Sequence, residues 1–126
     1  MSSKELREAV AILDEVSYAL SGDFNHVRER VEREISGNTD QFLASVRKGR
    51  SVRKYIFSMI ANVSGDMAES GQYHIYRGVL NPMGPGKSLI QIYDFAMEEL
   101  VRLGDTDEKN SAEQKAALRK NIEEVG

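Results

Sequence analysis

From Leu6 to Met67, and again from Leu89 to Leu103, the large apolar side chains recur at steps of three and four residues, and that spacing leaves few folds open. A chain patterned this way buries one side of helix after helix, whereas a half-buried sheet needs alternation at every second residue. Leu6, Val10, Leu13, Val16 and Leu20 form the first stripe. Ser2 and Glu5 introduce it at capping-box spacing and Gly22 closes it. Phe24, Val27, Val31 and Ile35 form the second, with Asp23 as its cap and Gly37-Asn38 as its stop. On its other side Arg28–Glu32, Glu29–Arg33 and Arg30–Glu34 fall four apart, which reads as a solvated face laced by ion pairs.

Thr39 or Asp40 caps the next element, in which Phe42, Leu43 and Val46 are apolar. Gly49 and Ser51 interrupt it before Val52, Ile56, Met59, Ile60, Val63 and Met67 resume the period, and Gly71 closes it. One internal glycine costs only about 1 kcal/mol relative to alanine, so one helix over 40–70 is preferred to two helices joined by a tight turn. Ser88 and Gln91 then open a helix carrying Leu89, Ile92, Tyr93, Ala96, Leu100 and Leu103, and Gly104 stops it. "DTDEKN" reads as a polar linker. Ser111 and Gln114 repeat the capping signal before the thin stripe of Leu118, Ile122 and Val125.

The expected fold is all-α: a small bundle of four to five helices, with a long ordered loop at about 71–87 and a weaker C-terminal helix. Residues 1–104 form the helical bundle domain. Residues 105–126 supply a polar linker and a short helix, part of the same domain or of an oligomer contact. So thin a stripe buries little area, so that helix frays or docks on a partner chain.

Composition removes several chemistries. There is no cysteine, so disulfides, thiolate metal sites and a cysteine nucleophile are excluded. His26 and His74 are the only histidines, and neither has a helical carboxylate spaced to build a facing ligand set, so no metal or cofactor is expected. "GPGKS" resembles a phosphate loop, but the motif needs glycine where Asn81 stands. "MSSKELREAV" lacks the apolar run of a signal peptide, and nothing approaches the roughly 18 apolar residues of a membrane span. A soluble cytoplasmic protein without a membrane role is the expectation.

Two stretches carry candidate function. In "SGQYHIYRGVLNPMGPGKS", residues 70–88, both prolines and four of the glycines gather around Tyr73, His74, Tyr76 and Arg77. Histidine exchanges a proton near neutral pH, and arginine grips carboxylate or phosphate at two points. Lys87 and the free amides of the following helix would add an anion-binding corner. The competing role is structural, a loop folded over the bundle's end, with His74 and Arg77 meeting carbonyls at the preceding helix terminus.

The second stretch runs from Arg47 to Lys54 and carries five positive charges and no acid, in a chain of net charge −3. Acids outnumber bases eight to five both in residues 1–35 and in residues 98–126, so this basic spot is isolated. Arg47, Lys48, Arg50, Arg53 and Lys54 would hold phosphate or an acidic partner, or else form a solvated face balanced by acidic neighbours.

These readings predict a non-catalytic protein, with no catalytic residue assigned, that acts as a homodimer or through a protein partner. The loop 71–87 is its expected interaction surface. Nucleic-acid binding through 47–54 is one alternative, not the favoured one. A small anionic ligand or enzyme site at 73–77 is the other.

Overall fold

The computed structural model describes residues 3–20, 24–49, 51–69 and 85–125, the side chains of 85–88 and 122–125 excepted. Six helices follow one another among these residues, with no strand: α1 Lys4–Leu20, α2 Phe24–Gly37, α3 Thr39–Arg47, α4 Val52–Glu69, α5 Pro85–Arg102 and α6 Glu108–Val125. The architecture is the all-α bundle that the apolar period predicts. No helix among the described residues is long and apolar enough to cross a membrane.

A division at Gly49 corrects the expectation of one helix over 40–70. Lys48 and Gly49 donate to the carbonyls of Ala44 and Val46, both at 3.2 Å, and end α3. Gly49 takes φ +112°, where a Cβ is disfavoured. Ser51 then caps α4, its Oγ accepting the Lys54 N–H at 3.1 Å. Such a cap contributes about 1 kcal/mol. That offsets the propensity advantage of carrying the helix straight through.

Other termini shift by a residue or more from the expected caps. The Oγ that caps α1 belongs to Ser3 rather than Ser2, accepting the Leu6 N–H at 3.1 Å. Asn38 precedes α3, while the Thr39 hydroxyl turns back to donate to the Ile35 carbonyl at 3.0 Å and so serves the end of α2. Helix α5 begins at Pro85, not after Ser88, and proline suits a first turn because its missing N–H has no partner there. Helix α6 begins after Asp107, whose Oδ1 accepts the Asn110 N–H at 2.7 Å, so the end of "DTDEKN" is helical and Ser111 is no cap.

Gly104 does stop α5. At φ +77° it donates to Val101 at 3.0 Å while Asp105 donates to Leu100 at 2.9 Å, the paired bonds of a Schellman ending. Gly22, Asp23 and Gly71 lie outside the described residues, as does the loop 71–87 apart from Pro85, Gly86 and Lys87 in the first turn of α5.

The core is organised around α4. Ten of its 18 residues are buried, too many for one stripe, so neighbours must cover more than half its circumference. Helices α1, α2, α5 and α6 all pack on it, and α3 reaches it through Phe42, whose ring meets Tyr55 edge-on at 5.0 Å. Phe24, Phe42 and Phe57 are fully buried beside Leu13, Val16, Val27, Val31, Ile56 and Ile60. Buried Ser64 stays neutral to this packing because its hydroxyl donates to the Ile60 carbonyl at 2.7 Å.

Helix α6 also packs on its own chain. Leu118 is buried, Arg119 pairs with Asp94 of α5, and Asn121 donates to Glu69 of α4 at 3.1 Å.

Helices α4 and α5 approach closely at Gly65. A Cβ there would lie 3.2 and 3.3 Å from two carbons of the Tyr93 ring. Gly65→Val is expected to lower stability by about 1–3 kcal/mol through overpacking. In a Tyr93→Ala background the same change should cost distinctly less, giving a non-additive double-mutant cycle by urea denaturation. Additive costs would show that the ring does not set the spacing.

Candidate functional site

The break at Gly49 turns the basic segment into a corner. Arg47 ends α3, Lys48 and Gly49 make the turn, and Arg53 and Lys54 occupy the first turn of α4. Arg47 and Lys54 therefore stand on different helices. Arg50 lies outside the described residues.

Among the described residues of this segment, Arg47 and Arg53 are engaged inside the chain. Arg47 reaches Glu5 of α1 at 3.1 Å. Arg53 turns inward and donates to Glu15 of α1 at 2.8 Å and to Glu99 of α5 at 2.6 Å. Its guanidinium also stands 5.1 Å from the centre of the buried Phe57 ring, a cation–π contact. Arg102 adds a second cation to Glu99, its Nη2 donating at 2.7 Å. The result is a two-arginine, two-carboxylate cluster joining α1, α4 and α5. Lys48 remains exposed and Lys54 half-buried.

The cluster fixes the charge of its acids. Hydrogen bonds from Arg102 and then Arg53 hold the Glu99 carboxyl below its ordinary value, against the opposing effect of burial. Arg53 does the same for Glu15. At Glu5 its own backbone amide and then Arg47 have that effect.

The other candidate residues fall elsewhere. Tyr73, His74, Tyr76 and Arg77 lie outside the described residues, and so does the side chain of Lys87. Among the described residues no group of three or more His, Cys, Asp or Glu is placed to hold a metal ion.

The supposedly solvated face of α2 is also put to use. Arg28 crosses to Asp14 at 2.7 Å and Ser17 at 2.9 Å of α1 while keeping Glu32 at 3.2 Å. Arg30 crosses to Asp66 of α4 at 2.8 Å.

Helix α6 leaves a cleft along each flank. The one on the α5 side, about 520 Å³, runs along Val101, Ser111 and Ala112 under Glu98, Arg102 and Lys115. Its cations are already spoken for, Lys115 by Glu98 at 3.4 Å and Arg102 by Glu99. The one on the α4 side, about 270 Å³, is lined largely by uncharged polar groups from three helices. Sequence reasoning missed both. Tyr93 reads as one more apolar-face residue, Gln114 as half of a capping signal, and Asn62 has no motif around it. No family model matches the chain, and neither does a curated protein or a solved structure.

The lowered carboxyls of Glu15 and Glu99 give stability a defined pH dependence. A depressed folded-state pKa stabilises above the unfolded value and is lost as pH falls through the folded one. Stability measured by urea denaturation is therefore expected to decline below about pH 4.5, the unperturbed value for both groups. Glu99→Gln should cost about 1–3 kcal/mol at neutral pH and flatten that decline. An unchanged pH profile in the variant would show that the cluster is not its source.

Proposed function

We propose that this chain is a non-catalytic helical protein that acts by assembly or by contact with a protein partner. The observation that carries the reading is on α1. Tyr18 is 94% exposed and Val10 is 45% exposed, the large apolar side chains left in water among the described residues. They are eight residues apart, a spacing that returns to one side of a helix. Ala11 is exposed as well and stands seven residues before Tyr18, on the same side of the helix. Arg7 and Asp14 are exposed on the same face and fall between Val10 and Tyr18 around the helix, so the surface mixes apolar and charged groups. A tyrosine held on a rigid helix contributes large area at low entropic cost, which is why such residues recur at the energetic centres of interfaces.

A second copy of the chain is the partner we favour, in a cytoplasmic setting. The loop 71–87, with Tyr73, His74, Tyr76 and Arg77, belongs to the proposal on its composition. Nucleic-acid binding is the weaker reading, because Arg47 and Arg53 are committed to Glu5, Glu15 and Glu99. It is best tested by the salt dependence of binding to mixed DNA and RNA, with Lys48→Ala and Lys54→Ala, since Arg53→Ala would disturb the bundle itself.

Sedimentation equilibrium across a wide concentration range tests the main reading. The wild-type chain is expected to self-associate. Val10→Ser with Tyr18→Ser should weaken association by roughly tenfold or more while leaving the melting temperature of the protomer unchanged, because both side chains are exposed. A strict monomer at every concentration, with no partner recovered by the immobilised chain, would sink the proposal.

A further inference from the structure

The cleft between α4, α5 and the start of α6 has the chemistry of a site for a small uncharged molecule. Its volume is about 270 Å³. Ala61, Met97 and Leu100 line it, and all three are buried, so it has an apolar floor. Tyr93 forms a wall, and two ring carbons of that residue abut Gly65, which backs the ring with α4. An aromatic side chain in the lining offers a flat ligand a surface to pack on.

The rim supplies hydrogen bonds without charge. Asn62 of α4 and Gln114 of α6 line the opening and are exposed. Among the described residues neither carboxamide has a hydrogen-bond partner, and the Ser58 hydroxyl, which also lines the cleft, has none. Thr106 and Asn110 also line the cleft but are bonded to each other at 2.7 Å. Asp105 is the single charged residue of the lining, and it is already engaged within the chain. No lysine or arginine among the described residues lines the cleft. Glu69 and Asp94 lie near the Tyr93 phenol, where burial first and these two charges second push its ionisation up. An anionic ligand therefore finds no lysine or arginine among the described lining residues and meets the Asp105 carboxylate.

A carboxamide presents a donor and an acceptor side by side. That pair matches the edge of a heterocyclic base, as asparagine and glutamine match adenine. An aromatic lining residue, an apolar floor and two uncommitted carboxamides suit a planar ligand with polar edges, and the lack of lysine or arginine among the described lining residues disfavours a phosphate. We infer that this cleft binds an uncharged planar heterocycle of the nucleobase class, as the free base or nucleoside and not as the nucleotide. The cleft is separate from the α1 surface, so either proposal can fail alone.

The test is titration of the full chain with the common bases, their nucleosides and their monophosphates at millimolar concentration, followed by the side-chain amide resonances of Asn62 and Gln114. At least one base or nucleoside is expected to shift both amides saturably, and its monophosphate to bind several-fold more weakly. Asn62→Ala and Gln114→Ala should each weaken binding by about tenfold, in keeping with the loss of one paired edge contact. Both residues are exposed, so an unchanged melting curve will show that the variants fold. The inference is overturned if no base shifts these amides, if binding survives both substitutions, if the monophosphate binds as well as its nucleoside, or if only monosaccharides bind in a parallel titration.

Discussion

A helix buried over most of its circumference dictates where everything else goes, and α4 is that helix. Its ten buried positions include Ala61, Ser64, Gly65 and Ala68, small residues in the middle of an otherwise bulky run. Positions 61, 65 and 68 share one side of the helix by spacing, and the approach of Tyr93 to Gly65 shows α5 using that side. Glycine inside a helix costs about 1 kcal/mol against alanine. It is retained because a Cβ there would press on an aromatic ring. Large aliphatics such as Ile56, Ile60 and Val63 are buried on the same helix within the common core cluster. One helix therefore carries both small and large buried side chains, and it packs against α1, α2, α5 and α6.

Arginine links these elements across the surface. Arg28 joins α2 to α1, Arg30 joins α2 to α4, Arg53 joins α4 to α1 and α5, and Arg119 joins α6 to α5. Exposed pairs of this kind contribute about 0–1 kcal/mol each, against roughly 3–5 kcal/mol for removing a buried phenylalanine. They orient helices that the core already holds. Arg53 goes further because Glu99 is only 12% exposed and must keep its partners to stay charged. The concentration of positive charge at 47–54 is thus partly an internal counterweight to acids on α1 and α5, and it overstates what the segment offers to phosphate.

The stripes at Leu6–Leu20, Phe24–Ile35 and Leu89–Leu103 were legible because burial of one face is a local, periodic demand, but Val10, counted in the first, is exposed while Ala9 and Ile12 are buried. Gly104 was legible because a helix ending fully in a Schellman turn needs a residue at positive φ. Gly49 was not, since the same residue is tolerable inside a helix, and the decision rests on a Ser51 hydroxyl whose bond appears only once the chain has turned. Ser88 and Ser111 misled for a related reason: serine followed by glutamine arises readily in polar helix, whereas Pro85 and Asp107 carried the better signals. The partners of Arg47 and Arg53 stand on other helices, at Glu5, Glu15 and Glu99, beyond the reach of any local pattern.

The thin apolar stripe of α6 has a consequence that reaches the surface. At its core-facing positions stand Ser111, buried, and Lys115, half-buried and drawn toward Glu98, before Leu118 supplies a large apolar group. A serine and a lysine stem cannot fill the space that a pair of leucines would, so the first half of α6 rests on the bundle without sealing it. Both clefts open along that half, since Ser111 and Lys115 line one and Asn110 and Gln114 the other. The same economy of apolar area that made this helix look dispensable in the sequence is what leaves room beside Tyr93 and Asn62. A leucine at 111 would tighten the bundle at the expense of the concave surface.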